Sequence, residues 1–551
     1  MSLNRYLLFA VCALFLPRFA AGCASPGEVK LKLGIIAEDV ALLDEVTSVT
    51  LLYWEEGDTA SRITRPFSDG SISIDAFAPG QSMRMAVELR TATDRLLGFG
   101  RTADEIEIVA GQDIVIPVEI RRPLVYLSSE EGFDAIDSTI DSGADLSAER
   151  RRVLVDGGGA SVVMAVPSYD GTALVAITSY ADDTIPDLFH YELHLLETST
   201  HAALPGAAVV PMSQPVIDLA ITSDGSYAVA GHDGPDGGVS IVDLRKVRDG
   251  LPNAVQLELG DIGRVTAGAE DPSRVFALRD RLGGLDCAAG GPSAVIEIRL
   301  DGAVIDASQV NTVALPVPVQ DIAAADDGSF VVAADSCTLD GQVSAEPGTL
   351  WQVPIDEGIQ LAPFKAPKIP NVSAVALWNR RIWAVTSQIA PEDRLVQGEP
   401  RIRVVSLDFD GNEQVAIDLP PLSMPVEAPV FSDDGQLAGV DLDADGIFSF
   451  DIAVAPGAGS VAILFEGIYK AQGSATNSTS FIPAMDIETV EYILLDVATA
   501  SPVQRVVSRC DVNIVEDALI TNWRCALAPE LSFQSDDIPE PIGISVLYGS
   551  R

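Results

Sequence analysis

Lysine is nearly absent from this chain, with only six residues, Lys30, Lys32, Lys246, Lys365, Lys368 and Lys470, in a length of 551. Histidine is rarer still, at four, and Lys and Arg together number 35 against 80 Asp and Glu. A formal charge of −45 gives a surface that repels polyphosphates and anionic lipid, which argues against any nucleic-acid partner. Long apolar runs are also missing, since nothing after the first residues reaches the ~18 consecutive apolar positions of a membrane-spanning helix. Nor is there a His-Glu-x-x-His, a nucleophile elbow or a P-loop, so the common motif-marked hydrolases and nucleotide enzymes are excluded. The acidity is not that of a disordered chain, because 47% of residues are hydrophobic and only 21% charged. Such a chain can bury a large core, and its acid excess reads most simply as solubility.

What is present begins with Arg5 and the apolar run Tyr6 to Leu16, closed by Pro17-Arg18. At ~11 residues the run has the length of a secretory signal core and is too short for a permanent span. Ala20-Ala21-Gly22-Cys23 then resembles the lipobox of bacterial lipoproteins. That resemblance implies cleavage before Cys23 and acylation of its sulfur, with residues 1–22 as signal peptide and 23–28 as a lipidated linker. The acyl chains would hold the protein on a membrane, each buried methylene contributing about 0.8 kcal/mol. Ala24 follows the cysteine where Asp would favour retention in the inner membrane, so the outer membrane of the cell envelope is the expected address.

From 29 to 121 short alternating strands such as Val29 to Leu33, Val49 to Tyr53, Ser71 to Ile74 and Ile114 to Val118 are separated by turns at Asp69-Gly70, Pro79-Gly80 and Gly111-Gln112. This spacing, with no strong helix pattern interrupting it, predicts an N-terminal β-sandwich. Its strand order resembles the immunoglobulin- or transthyretin-like modules that follow the anchor in surface lipoproteins, myxobacterial ones among them.

Beyond Arg121-Arg122-Pro123 a repeat takes over, each unit an apolar strand, an Asp-Gly-type turn and a second apolar strand. The turns fall at Asp170-Gly171, Asp224-Gly225, Asp271-Pro272, Asp327-Gly328, Asn379-Arg380 and Asp434-Gly435, spaced 54, 47, 56, 52 and 55 residues apart. Third strands follow at Gly238 to Leu244, Ala294 to Leu300, Thr349 to Val353 and Ile402 to Leu407, and short fourth strands after Asp301-Gly302 and Asp410-Gly411. Four antiparallel strands per period are a propeller blade. The expected fold is therefore all-β, a sandwich followed by a propeller over 122–551. About seven blades are expected, with six or eight also compatible with the period, because the stretch from 445 onward breaks it. Tyr492 to Val497 reads as a third strand of the last blade, and Leu124 to Leu127 is available to close the ring. The pattern resembles WD40-like and YVTN-like propellers, without the Trp-Asp or Tyr-Val-Thr-Asn signatures.

Setting aside Cys12 and Cys23, four cysteines remain, and an even number in an exported protein reads as two disulfides. Cys287 and Cys337 follow the second strands of the third and fourth hairpins, so neighbouring loops can bring them together, and Cys510 lies near Cys525. Cys287 with Cys337 and Cys510 with Cys525 are the expected pairs. Parity supports the lipid on Cys23, since an ordinary thiol there would leave five cysteines and one stranded.

The sharpest chemical motif is Asp441-Leu442-Asp443-Ala444-Asp445-Gly446, whose alternating carboxylates and glycine resemble the opening of a calcium loop. Asp441, Asp443 and Asp445 are the candidate ligands of calcium, though Ile452 stands where an EF-hand has its bidentate Glu. His190 and His194 share one face of an apparent strand, with His232-Asp233 nearby in the next unit, and ordinary packing is the weightier account of them. Gly157-Gly158-Gly159 reads as a hinge, and Trp351, Trp378, Trp383 and Trp523 mostly as core. The leading functional expectation is a noncatalytic binding or scaffold module with a protein or polysaccharide partner. The alternatives are a propeller enzyme of lactonase-like hydrolase or lyase type acting at the central channel, and a carbohydrate-binding surface protein marked by exposed coplanar tryptophans.

Overall fold

A computed structural model describes residues from 29 to 546. It leaves out 55–60, 138–149, 154–160, 282–292, 301–309, 336–348, 355–361, 364–371, 390–401, 420–425, 428–438, 515–532, 535–540 and some shorter stretches. The signal and lipobox residues, Cys23 included, lie outside the described residues, as do Cys287, Cys337, Cys525 and Asp441.

The N-terminal strands form two sheets that share one core. One has the order Ser71–Phe77, Val29–Ala37, Asp113–Ile120, and its last two strands run parallel, Lys30 opposite Asp113 and Ala37 opposite Ile120. The other has the order Ser61–Pro66, Ser48–Trp54, Ser82–Arg90, Leu96–Arg101, with Ile106–Glu107 paired to its third strand. Val49, Leu51, Met85, Val87 and Leu89 from the second sheet meet Val118 and Ile120 from the first, all nearly inaccessible to solvent. The alternating text of these strands accounts for that one-sided burial. Val40–Glu45 forms a 3-10 turn between the strands Val29–Ala37 of one sheet and Ser48–Trp54 of the other.

Next in the chain come four-stranded antiparallel sheets, each entered by a strand that packs against the entering strands of the sheets before and after it. Numbered around the ring, sheet II holds Ser161–Pro167, Ala173–Ala181, Phe189–Glu197 and Val210–Met212. Sheet III holds Asp218–Ile221, Tyr227–His232, Gly238–Asp243 and Ala254–Glu258, and sheet IV holds Ile262–Ala267, Arg274–Arg279, Ala294–Arg299 and Val310–Ala314. Sheet V comprises Asp321–Ala324, Phe330–Asp335, Thr349–Pro354 and Ala362–Pro363; sheet VI comprises Val372–Trp378, Arg381–Thr386, Ile402–Asp408 and Glu413–Leu419. Sheet VII is built on the long strands Asp443–Val454, Ser460–Ala471, Met485–Asp496 and Ser501–Ile514.

Sheet I closes the circle from both ends of the repeat region. Leu124–Ser129, Gly132–Asp137 and Arg150–Val153 supply three strands, and Pro541–Val546 supplies the fourth, Ile544 opposite Leu127. That fourth strand packs against the entering strands of sheets II and VII, so it is the innermost strand of its sheet. The result is a β-propeller, held shut by pairing sequence-distant strands rather than by any local turn.

Between successive sheets lie separate apolar cores, such as Val175, Leu193, Leu219 and Val242 between II and III, and Val332, Ala334, Val375 and Ile382 between V and VI. Because both faces of each sheet are covered, the middle strands read as continuous apolar text, as in Ala228-Val229-Ala230. The first turns repeat one hydrogen-bond pattern. Gly171, Gly225 and Gly328 each donate their amide to the residue three before, and each sits at φ near +65 to +70. That left-handed backbone is costly for a residue with a Cβ, which is why the Asp-Gly signal recurs. In sheet IV the turn lacks glycine, and Asp271 caps it by accepting from the amide and hydroxyl of Ser273.

The sixth expected hairpin is a correction. Around Asp434-Gly435 the described residues are only the short ribbon of Val426–Glu427 with Gly439–Val440, outside the sheets of the ring. The first turn of sheet VII instead lies between Val454 and Ser460. Its strands of 12 to 14 residues displaced the landmark on which the period was read. Among the described residues no helix is long and apolar enough to cross a membrane.

Candidate functional site

An entering strand starts at one end of the ring and its first turn lies at the other, so the topology sorts residues onto two faces. Strand starts and second-to-third-strand loops share what is here called the upper face. First turns and third-to-fourth-strand turns share the lower one.

At the upper end of the channel, Asp218 and Asp321 begin the entering strands of sheets III and V, and Arg264 lies between them on sheet IV. Arg264 Nε donates to Asp321 Oδ1 at 2.7 Å, and its NH1 lies 3.7 Å from Asp218 Oδ1. The other oxygen of each carboxylate accepts a backbone amide from the next sheet, Val265 N to Asp218 Oδ2 at 2.7 Å and Val375 N to Asp321 Oδ2 at 2.8 Å. All three side chains are buried, which is tolerable only because the charges are paired and hydrogen-bonded.

The amides so capped occupy one kind of place. The entering strands of sheets II, IV and VI each shift register by a bulge, at Val162/Met164, Ile262/Arg264 and Val372/Ala374. The residue three after each bulge start receives a side chain from the preceding sheet. Ser128 Oγ accepts from Ala165 N at 2.8 Å, as Asp218 does from Val265 and Asp321 from Val375. An inner strand has a free edge toward the channel, and these contacts satisfy part of it. Sequence reasoning did not single out Asp218, Arg264 or Asp321. A signal was available, since Pro215-Val216-Ile217-Asp218-Leu219-Ala220 and Pro318-Val319-Gln320-Asp321-Ile322-Ala323 head sheets III and V alike.

His232, at the end of the second strand of sheet III, is fully buried beside this cluster. Its Nδ1 lies 2.7 Å from the Pro215 carbonyl and its Nε2 2.7 Å from Ser240 Oγ. A carbonyl only accepts, so Nδ1 carries the proton and the neutral ring accepts the Ser240 hydroxyl. Burial pushes the imidazole below its ordinary value of 6.5, against the opposing pull of the Pro215 carbonyl and the Asp233 charge.

The other histidines are placed elsewhere. His190 and His194 do share a strand of sheet II, where His194 Nε2 meets Thr178 Oγ1 at 3.1 Å and His190 stacks on Tyr180 with ring centroids 5.2 Å apart. His201 packs edge-on against Tyr126 and Phe133, where sheets I and II meet. Among the described residues no three His, Cys, Asp or Glu side chains gather to hold a metal. Asp443 and Asp445 fall in the strand Asp443–Val454, Asp443 opposite Lys470 and the register shifting between Ala444 and Gly446. Their side chains, like Asp441, lie outside the described residues. Cys510 sits in the strand Ser501–Ile514 opposite Thr489. Of the tryptophans, Trp378 and Trp383 are buried, Trp351 packs on the core between sheets IV and V, and Trp523 is outside the described residues.

One upper loop differs in its surface. Among the described residues seven large hydrophobics are exposed, and four of them, Tyr180, Ile185, Leu188 and Phe189, lie at the second-to-third-strand tip of sheet II. This hairpin outruns its sheet. The fourth strand pairs only with Tyr191 to Leu193, so Phe189 and His190 extend beyond it. Glu192 accepts from the Tyr180 hydroxyl at 3.2 Å, and burial, helped by the Asp233 charge, raises the Tyr191 hydroxyl above its ordinary value. The described residues of the hairpin thus expose aromatic and aliphatic side chains, and in sequence they alternate with the acidic residues Asp182, Asp183 and Asp187.

No family model matches the chain, and no curated protein matches it. Several solved structures do. A hydrazine synthase structure of Kuenenia stuttgartiensis is 11% identical with a TM-score of 0.36, over 66% of this chain and 98% of that one. The β-propeller domain of Myceliophteria thermophila Cps50 (Swd1) is 12% identical with a TM-score of 0.34, over 65% of this chain and 98% of its own. The dihydro-heme d1 dehydrogenase NirN is 12% identical with a TM-score of 0.35, over 70% and 72%. The ring stands on its own strand pairings.

Proposed function

We propose that this chain is a noncatalytic, lipid-anchored binding module of the cell envelope, acylated on Cys23, whose propeller recruits a protein through the apolar tip of sheet II. The observation that carries the reading is the concentration of four exposed large hydrophobics, Tyr180, Ile185, Leu188 and Phe189, on a hairpin projecting beyond its sheet. Contiguous exposed apolar surface is costly in water and marks interaction sites. The flanking Glu192 and Asp233, on a chain of charge −45, favour a partner segment that is basic as well as apolar.

Support against the channel-enzyme alternative comes from how the channel acids are engaged. Asp218 and Asp321 are each bound to a backbone amide and held near Arg264, an arrangement that suits a clamp rather than proton transfer. The buried positions of Trp378 and Trp383 give no stacking platform for sugars.

The test places a photoreactive amino acid at Ile185 in producing cells. A crosslinked protein whose contact peptide is basic and apolar, lost with Phe189→Ser and weakened by salt, supports the reading. Crosslinking to polysaccharide, to an acidic segment or to nothing overturns it. Lipidation is tested separately: the mature chain should partition into detergent, and Cys23→Ser should move it to the aqueous phase.

A further inference from the structure

The lower face of the ring carries a contact that the docking tip does not use. Tyr169 lies in the first turn of sheet II and Trp378 ends the entering strand of sheet VI. Sheets I and VII separate these two around the ring, yet their rings stand 6.1 Å apart, so the side chains reach toward each other across the lower mouth of the channel. Into this pair comes Arg101, the last residue of the sandwich strand Leu96–Arg101. Its guanidinium carbon is 3.7 Å from the Tyr169 centroid and 4.2 Å from that of Trp378, and the residue is only 7% exposed. Beside it Arg121, bridged to Phe99 of the same strand, donates to Gly171 O and Thr198 Oγ1 on the lower turns of sheet II.

We propose that Tyr169 and Trp378 form a cation-binding aromatic box across the lower mouth, a site for guanidinium-type cations that Arg101 fills in cis. A planar guanidinium over two π-faces in a desolvated place is among the stronger cation–π arrangements. The consequence is functional. The sandwich is docked as an internal ligand that stoppers the lower mouth, which leaves the upper face as the open approach to the ring. A competing cation of the same class would release the sandwich, and a change of sandwich orientation would free the box.

The test is a double-mutant cycle on the full mature chain, read by trypsin cleavage between Arg121 and Arg122, a bond held against sheet II while the sandwich is docked. Tyr169 lies in a surface turn, so Tyr169→Ala removes the box from the ring side without hollowing the sandwich. Arg101→Ala and Tyr169→Ala should each speed cleavage by about thirtyfold, the equivalent of roughly 2 kcal/mol for a desolvated pair. The double variant should be no faster than the faster single. In addition, N-acetylargininamide at millimolar concentration should bind Arg101→Ala, seen by saturation-transfer NMR, but neither the parent nor the double variant. Unchanged cleavage in either single variant, additive effects, or equal probe binding by the parent and Arg101→Ala would each overturn the proposal.

Discussion

Asp321→Ala should be among the most damaging single substitutions in the ring, and the structure says where the damage will be felt. The side chain is completely buried, and its contacts include Val375 N at 2.8 Å, Ile322 N at 2.9 Å and Arg264 Nε at 2.7 Å. Truncation orphans amides whose desolvation costs about 1 to 3 kcal/mol each when unpaired. It also takes from a buried guanidinium its 2.7 Å carboxylate partner, while Asp218 lies farther off at 3.7 Å. Loss of one partner of a buried pair costs about 3 to 5 kcal/mol, and that range is expected here because the terms overlap. Asp321→Asn keeps one acceptor oxygen and should cost less than half as much. A chain of several sheets does not unfold in one step, so the decisive assay is local: native-state hydrogen exchange at the Val375 amide, compared with amides in sheets II and III. Exchange should accelerate at Val375 far more than in sheet II. A cost below about 1 kcal/mol, or uniform acceleration everywhere, would refute the idea that Asp321 ties sheet V to sheet VI.

Further predictions concern His232, the cysteines and calcium. His232 titrates below its unfolded value, so the unfolded chain takes up a proton first; stability is full above about pH 6.5 and falls on acidification through that range. His232→Gln should flatten that part of a melting-temperature profile from pH 8 to 5, and an unchanged slope would remove His232 as its source. Peptide mapping without reduction should link Cys287 to Cys337 and Cys510 to Cys525; a link from Cys337 to Cys510 would show that adjacent-loop register does not govern pairing. Calcium should raise the melting temperature relative to chelator, and Asp443→Asn should erase the difference. A parent chain indifferent to calcium would dispose of the loop as a metal site.

How much could be read in advance followed the range of the interactions. Turns at 171, 225 and 328 were legible because a left-handed glycine leaves a local mark that repeats. The strands at Val49 to Tyr53 and Ile114 to Val118 were legible from their alternation, and the structure places Val49, Leu51 and Val118 in one core with Met85 and Val87 of a strand not singled out in the sequence. Sheet VII was harder, since Asp443–Val454 and Ser460–Ala471 are long strands that dilute the turn spacing. The Arg101 box was beyond reach: it joins residues in three parts of the chain, and no local pattern distinguishes that arginine from its neighbours. The Pro-Val-x-Asp segments at Asp218 and Asp321 were readable but carry no familiar chemistry, so a search for catalytic or metal motifs passes over them.

Those two segments also expose an order in the ring finer than the blade. Register bulges occur in the entering strands of sheets II, IV, VI and VII, and in the first three the side chains that cap the following amides come from I, III and V. These caps staple I to II, III to IV and V to VI. Apolar contact alone is non-directional and would let one pair slide or tilt on the next. Between the second and third pairs the structure supplies directional contacts. Thr266 Oγ1 of sheet IV accepts from Ala324 N of sheet V at 3.3 Å, and Arg264 reaches from IV to Asp321 on V while lying near Asp218 on III. One charge thus couples two pairs, which accounts for an arginine buried between the sheets. Sheet I needs a different solution, because its inner strand arrives from the far end of the chain. There Ser545 donates to Ala165 O at 2.6 Å, while Ser128 accepts the Ala165 amide, so both backbone groups of one residue on sheet II are held by the closing sheet. The closing strand is consequently fixed in register at its junction with sheet II. That fixed end gives the lower mouth, where Tyr169 follows in the same sheet, a rigid rim on which a docked arginine can be held.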